Sequence, residues 1–326
     1  ARPVLTGVEV KIDGAEVSFA AADGFRLALC NSALSLNNGQ SISAIIPARG
    51  LAELSRIVGD LDDPVSLSLP TGRGQAIFRA KDVELVSPIP NPPSVRDAYA
   101  FRQHVATARR NRGMEMIPEF DEIPIFYFTN HHAVFGEGDF PVRKRHTEKL
   151  DFELECAAVI GKGGRNISIS DADDYIVGFM IMNDLSARVM QMQEMKLNLG
   201  PAKGKDFGST FGPWLVTKDE LEPYKRPSFD GDRYNLKMKA FVNNIQMSED
   251  TLANMTWTFA QIIERVSYGV DIFPGDVIGS GTCGTGCFLE LNGSKITDNQ
   301  WLSPGDTVFL EIEGLGTLKN RIILCD

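Results

Sequence analysis

Four of the six residues from Pro88 to Pro93 are proline, in the order Pro88-Ile89-Pro90-Asn91-Pro92-Pro93. No other stretch constrains the chain so strongly. Proline fixes φ and removes a backbone donor, so neither a helix interior nor a central strand accepts this run, which predicts a stiff, extended connector. It splits the 326 residues into 1–87 and 88–326. At about 100 to 200 residues per domain, the length by itself suggests two.

The two parts read differently. In 1–87, Val8 to Ile12 alternates as a short strand and runs into Asp13-Gly14, a hairpin turn signal. One helix is expected over Ala48 to Val58, with Leu51, Leu54 and Ile57 on one side and Gly59 past its end. Beyond the prolines lie all 4 histidines, between His104 and His146, and acids stand where a pleated core normally excludes them. Function is therefore expected in 88–326.

Charge narrows the function classes. The chain carries 33 Lys and Arg against 43 Asp and Glu, a net −10. Lys plus Arg against Asp plus Glu is 8 to 10 in 1–87 and 25 to 33 in the remainder, so both parts are acidic. A polyanion is held by clustered cations, so no nucleic-acid partner is expected. The strongest apolar run, Tyr175 to Met182, is too short to cross a bilayer. No secretory signal is visible, and 5 scattered cysteines suit reduced thiols, so a cytoplasmic protein is expected.

Three acidic constellations stand out. In Asp151-Phe152-Glu153-Leu154-Glu155-Cys156, period two puts Glu153 and Glu155 on one strand face and Phe152, Leu154 and Cys156 on the other. A buried cation offsets such a like-charged pair; the alternative is a solvated edge strand. Asp184 ends the apolar run from Tyr175 and precedes a helix-like run, Ser186 to Met195, on which Arg188, Gln191 and Met195 share a side. A helix-capping acid is the alternative there. Asp97, Tyr99 and His104 put an acid, a phenol and an imidazole in one short run, and histidine is the natural base near neutral pH. His131, His132 and His146 lack such company and read as structural.

Other motifs carry less. Gly281-Thr282-Cys283-Gly284-Thr285-Gly286 lacks dinucleotide-loop spacing and leads into Phe288-Leu289-Glu290-Leu291, expected as a strand. The segment Gly200 to Asp206 lacks P-loop spacing. Cys283 and Cys287 have no second pair, so spacing predicts no zinc site. The runs Arg109-Arg110-Asn111-Arg112 and Arg143-Lys144-Arg145-His146 are candidate anion contacts or solvated faces. Thr256 to Ser267 is expected as a core-packing helix.

Taken together, five motifs resemble the fumarylacetoacetate hydrolase family in order and spacing. They are Asp97-Ala98-Tyr99 with His104; Glu153 with Glu155; Met182-Asn183-Asp184 leading through Ser186-Ala187-Arg188 to Gln191; Gly204-Lys205 with Phe207-Gly208; and Ser280-Gly281-Thr282 with Glu290. The resemblance covers roughly 88–326, the family's catalytic domain. It implies an α+β, mainly β fold with a mixed β-roll, a homodimer, and a role in the breakdown of aromatic compounds. It also implies a divalent ion, Mg²⁺ or else Ca²⁺ or Mn²⁺, held by Asp97, Glu153, Glu155 and Asp184. Four hard oxygen ligands suit those ions and over-neutralise them. An anionic substrate then needs cations, for which Lys205 and Arg188 stand in matching motifs and one of Arg109, Arg110 and Arg112 is a third candidate.

The activity so implied is hydrolysis of a carbon–carbon bond in an acylpyruvate-like or fumarylacetoacetate-like diketo acid. His104, oriented by Glu290, activates water to attack a metal-chelated carbonyl. Lys205 and Gln191 hold the developing oxyanion or enolate, while Tyr99, Thr282, Arg188 and Arg112 meet the substrate. Relatives lacking the His and Glu pair decarboxylate or isomerise instead. Val189 and Met195 depart from the pattern, in place of an acid and a substrate-contacting tyrosine, and leave the substrate open.

Residues 1–87 resemble something else. Arg2 to Val8, Ala20 to Ala28, Ser43 to Arg49 with Leu51 to Leu54, and Val83 to Ser87 look like part of the middle domain of a bacterial DNA polymerase sliding clamp. The first strand and helix of that domain are missing, so a partial clamp-like domain and a chimera joined near Ser87 are expected. A clamp-related DNA-processivity or peptide-docking module is the alternative of another class. It is disfavoured because one incomplete copy offers only Arg49 and Arg56 on its helix.

Overall fold

Alternation in the first strand sets the architecture of the N-terminal part. In the computed structural model, which describes residues 7–22, 27–34, 41–58, 65–68, 77–79, 86–111 and 113–325, Val10 is buried while its neighbours Glu9 and Lys11 face out. Gly7–Asp13 and Glu16–Ala22 form the hairpin, turning at Gly14, whose φ of 61° favours glycine. The strands lie antiparallel in the order Leu27–Ala33, Glu16–Ala22, Gly7–Asp13, Ile42–Pro47. Helix α1 spans Ala48–Val58, as its spacing predicts. Val10, Val17 and Ile46 form a small core joined by Leu51, Leu67 and Phe78. The edge strand Leu27–Ala33 is exposed throughout.

The chain divides into two compact units, Ala1–Glu84 and Leu85–Asp326. The larger is mainly β and is built on a mixed seven-stranded sheet. Its spatial order is Phe126–Thr129, Val95–Ala98, Val277–Gly279, Leu154–Ile160, Ile176–Asn183, Ser209–Thr217, Val134–Phe135. The pairs Val95–Ala98 with Val277–Gly279 and Ser209–Thr217 with Val134–Phe135 are parallel, and the other pairs antiparallel. Beside it lies a five-stranded sheet: Gly138–Val142, Gly316–Leu324, Thr307–Ile312, Lys237–Val242, Ile245–Thr251. Phe152, Leu154 and Cys156 enter the main core with Phe179, Ile181 and Leu310. On the opposite face, the row of Glu153 and Glu155 continues as Ala157 and Val159 into a second apolar cluster with Met180, Met182 and Phe211. The face that carries the two acids is therefore buried, which removes the solvated-edge alternative.

The helices of this unit are α2 (Arg102–Arg110), α3 (Ile169–Ala172), α4 (Arg188–Met195), α5 (Phe259–Ser267) and α6 (Phe288–Gly293). Three expectations are corrected. The run expected as helical from Ser186 becomes so only at Arg188, because Ser186–Ala187 pairs as a strand with Leu150–Asp151. Helix α5 starts after Thr258, not at Thr256, because Thr258 and Gln261 form a reciprocal capping box there. Phe288 to Leu291 is helical, not a strand. The Asp151 carboxylate accepts the N–H groups of Phe288 and Leu289 at 2.7 and 3.0 Å and satisfies the first turn of α6. Among the described residues no helix is long and apolar enough to cross a membrane.

Candidate active site

Strand ends and a strand break deliver four carboxylates to one point. Asp97 lies on Val95–Ala98, Glu153 between Leu150–Asp151 and Leu154–Ile160, Glu155 on the latter strand, and Asp184 just past Ile176–Asn183. One oxygen from each lies within 4.8 Å of all the others, and all four residues are buried. Asp184 caps no helix: the residue preceding α4 in the cap position is Ala187. Gly279 leaves space for this convergence, since a Cβ there would overlap Asp97 Oδ1 and come within 3.0 Å of Glu155 Oε2.

Four buried acids cannot all ionise unaided. Burial, with Asp184 adding to it, pushes Asp97 up to about 8. Burial and then Asp97 hold Glu155 well above the ordinary carboxylate range. Asp184 is also raised by burial, against the pull of Lys205. Glu153 goes the other way: burial would raise it, but Lys205, Arg188 and His104 together hold it well below. Among the described residues Glu155 Oε2 has no hydrogen-bond partner, while Oε1 receives Thr282 Oγ1 at 3.4 Å and the Glu155 carboxyl also pairs with that of Asp97. A buried acceptor with no donor, inside a group of oxygen ligands, fits a hard divalent cation such as Mg²⁺, Mn²⁺ or Ca²⁺.

Two cations border the acids. Lys205 Nζ donates to Glu153 Oε2 and Asp184 Oδ2. Burial alone would favour its neutral form, but Asp184 and Glu153 keep it charged, above its ordinary range. Arg188 turns inward: Nε donates to Asp151 Oδ2 at 2.8 Å, Nη2 to Glu153 Oε1 at 2.7 Å and Nη1 to Gln191 Oε1 at 3.0 Å. Its charge is spent on these acids rather than presented to solvent.

His104 on α2 and Glu290 on α6 are 186 positions apart and meet with Nδ1 and Oε2 at 2.8 Å, both buried. The half-buried Tyr99 ring stands edge-on to His104, centroids 5.8 Å apart. The structure therefore brings together Asp97, Glu153, Glu155, Asp184, Lys205, Arg188, Gln191 and Thr282, and sets His104 with Glu290 and Tyr99 beside them. Arg109 and Arg110 turn to local partners, the Glu115 carbonyl and Thr107 Oγ1. Arg112 lies outside the described residues. A cleft of about 720 Å³ between α2, α6 and residues 295–301 includes none of these groups.

Three residues here escaped the sequence reading. Tyr127 donates its hydroxyl to Asp184 Oδ2 and pairs with Asp97 across the sheet; that register leaves no trace in the sequence. Ser209 reaches Asp184 Oδ1 at 3.3 Å. Asp151 ties Arg188 to the first turn of α6, which carries Glu290. For Asp151 a signal existed, because it continues the period-two row of Glu153 and Glu155.

Comparison with known proteins gives two family matches and several relatives. Residues 94–323 match the family model described as Fumarylacetoacetate (FAA) hydrolase C-terminal. Residues 1–90 match the central domain of the DNA polymerase III beta subunit. The chain is similar to a fumarylacetoacetase of Oryza sativa subsp. japonica, 29% identical over 336 residues, 83% of this chain and 77% of that protein. It is also similar to the oxaloacetate tautomerase YisK of Bacillus subtilis (strain 168), 31% identical over 254 residues, 76% of each. In fold it is similar to a fumarylpyruvate hydrolase from Pseudomonas aeruginosa solved with Mn²⁺ and pyruvate: TM-score 0.57, 19% identity, 81% of this chain and 98% of that one. A 5-carboxymethyl-2-hydroxymuconate delta-isomerase from Mycobacterium smegmatis gives TM-score 0.57 at 22% identity, over 98% of this chain and 99% of that one.

Proposed function

The chain belongs to the fumarylacetoacetate hydrolase family, and from that premise we propose that it is a divalent-metal-dependent hydrolase cleaving a carbon–carbon bond of a small acylpyruvate-like or fumarylacetoacetate-like β-diketo acid. The observation that carries this reading is the buried His104–Glu290 pair at 2.8 Å, set next to the four-carboxylate group. Asp97, Glu153, Glu155 and Asp184 hold the ion, Mg²⁺ or else Mn²⁺ or Ca²⁺. When bound, it polarises the oxygens of the diketo acid.

The remaining chemistry belongs to the chain. Glu290 accepts from Nδ1 and fixes the imidazole so that Nε2 takes a proton from water, which adds to the carbonyl carbon. The carbon–carbon bond breaks, its electron pair passes to the leaving enolate, and the Nε2 proton is returned to that carbon. Lys205 and Gln191 hold the negative charge that develops on oxygen. Tyr99 and Thr282 position the substrate carboxylate, and Arg112 adds positive charge. Arg188 acts through Glu153 and Gln191, with which it already pairs.

A second reading is favoured by the 31% identity to an oxaloacetate tautomerase: at the same four-carboxylate site a proton moves between carbon and oxygen without His104 as the base, and the chain isomerises or decarboxylates a keto acid. A panel of short diketo and keto acids, assayed with Mg²⁺ and with chelator, separates the two. Pyruvate released only from acylpyruvates, and only with metal, supports hydrolysis. Enol–keto exchange without cleavage supports tautomerisation. We place the protein in the cytoplasm as a homodimer, and take 88–326 as the catalytic domain and 1–87 as a fused clamp-like segment supplying no catalytic group.

A further inference from the structure

Cys287 immediately precedes α6 and is buried, as are His104 and Glu153. Its sulfur, one imidazole nitrogen of His104 and one Glu153 oxygen lie within 4.8 Å of one another. Spacing along the chain gave no zinc pair, yet the fold assembles nitrogen, sulfur and oxygen from three distant side chains. That donor set suits zinc, whereas magnesium and calcium take oxygen. Tetrahedral bonds of about 2.0 Å to nitrogen and oxygen and about 2.3 Å to sulfur set ligand atoms about 3.3 to 3.6 Å apart. The side chains therefore need to close by about 1.5 Å at most, a distance side-chain rotation covers.

His104 is prepared for such a role. The Glu290 carboxylate, an acceptor, lies 2.8 Å from Nδ1, so the neutral imidazole carries its lone pair on Nε2, the arrangement that commonly backs metal-bound imidazoles. Glu153 accepts from Arg188 and Lys205, and a carboxylate offers about four acceptor positions, so room remains.

We propose that Cys287, His104 and Glu153 form a second cation site, which captures zinc or a similarly soft divalent ion, shares Glu153 with the four-carboxylate group and stops turnover. On binding, the Cys287 S–H bond breaks, its proton leaves to solvent and its electron pair stays on sulfur for the metal. The Nε2 lone pair goes to the metal too, and is then no longer available to accept a proton from water. Inhibition rests on the reading of His104 given above; binding does not.

Both parts are testable on the full chain in a Cys30→Ser, Cys325→Ser background, which removes the two thiols that are not buried. Cadmium, titrated into magnesium-saturated protein, should give one ultraviolet thiolate-to-metal band, retained in Cys283→Ser and lost in Cys287→Ser. Zinc should inhibit turnover, with an inhibition constant at least about tenfold higher in Cys287→Ser, the low end of what loss of even an outer partner costs a metal site. A cadmium band that survives in Cys287→Ser overturns the site. If that variant folds poorly, X-ray absorption on the zinc-loaded parent decides: one sulfur in the zinc shell supports the site, and a shell of nitrogen and oxygen alone overturns it. Zinc bound through sulfur with turnover unchanged overturns the inhibitory role, and with it the assignment of His104 as base, but leaves the site standing.

Discussion

The two units bury different things. Among the described residues of Ala1–Glu84, the buried side chains are Val10, Val17 and Ile46, all apolar. The larger unit buries six acids around the site, Asp97, Asp151, Glu153, Glu155, Asp184 and Glu290, against two cations, Arg188 and Lys205, and the imidazole of His104. Desolvating a charge costs several kcal/mol unless it is paired or bound to metal. A core that keeps an excess of acid is therefore poised for a cation, while one that keeps none is explained by folding alone.

That contrast is exposed to several tests. The largest expected effect is at Asp184. Asp184→Ala should lose tight Mg²⁺ or Mn²⁺ binding and turnover together, with turnover falling about 10³-fold or more, since metal polarisation contributes several kcal/mol. Unchanged affinity by calorimetry would remove Asp184 from the ligand set. His104→Ala should keep metal affinity and lose about 10² to 10⁴ in hydrolysis. Turnover within about threefold of the parent, far short of a lost base, would instead favour tautomerisation or decarboxylation.

Stability sharpens the comparison next. Asp151→Asn removes a buried charge from Arg188 and weakens the cap of α6, and should cost about 3 kcal/mol in denaturant unfolding. Glu9→Gln, at an exposed acid whose partner is Ser43 at 3.2 Å, should cost under about 0.5 kcal/mol. Equal costs would erase the distinction between the units.

The pH dependence is smaller and has a definite sign. Asp97 is raised from 3.8 to about 8 in the metal-free fold, so folding favours its protonated form. Its contribution is full below the ordinary carboxylate range and is lost as pH rises through about 8. The Tm of metal-free protein should fall from pH 6 to about 9, and saturating Mg²⁺, which replaces the proton, should flatten the curve. A metal-free Tm that rises over that span rejects a protonated Asp97. The smallest effect is expected from deletion of the N-terminal unit: a chain beginning at about Ser87 should keep its metal affinity while losing some solubility. Loss of metal binding in that chain, still folded, would mean that the N-terminal segment completes the site.

How legible each feature was depended on how local its cause is. Helix α1 follows the sequence bounds, Ala48–Val58, because leucine spacing acts within the helix itself. Glu153 and Glu155 share a face because strand geometry alternates, which any reader of the sequence can see. Tyr127 and Ser209 were invisible. Their approach to Asp184 depends on the register of strands that pair across the sheet.

What the sequence determined by itself is the inventory and its periodicity: acids on alternate positions, a histidine near an acid and a phenol, a lysine after Gly204, and a proline run between two differently patterned parts. The tertiary structure decided which of these meet. Phe288 to Leu291 is a short apolar run read from the sequence as a strand, and periodicity over so few residues does not separate strand from helix. It becomes α6 because a carboxylate 137 positions earlier satisfies its first N–H groups. That one long-range contact turns Glu290 toward His104, since a side chain's direction follows from the backbone that carries it, and here a distant acid selects the backbone.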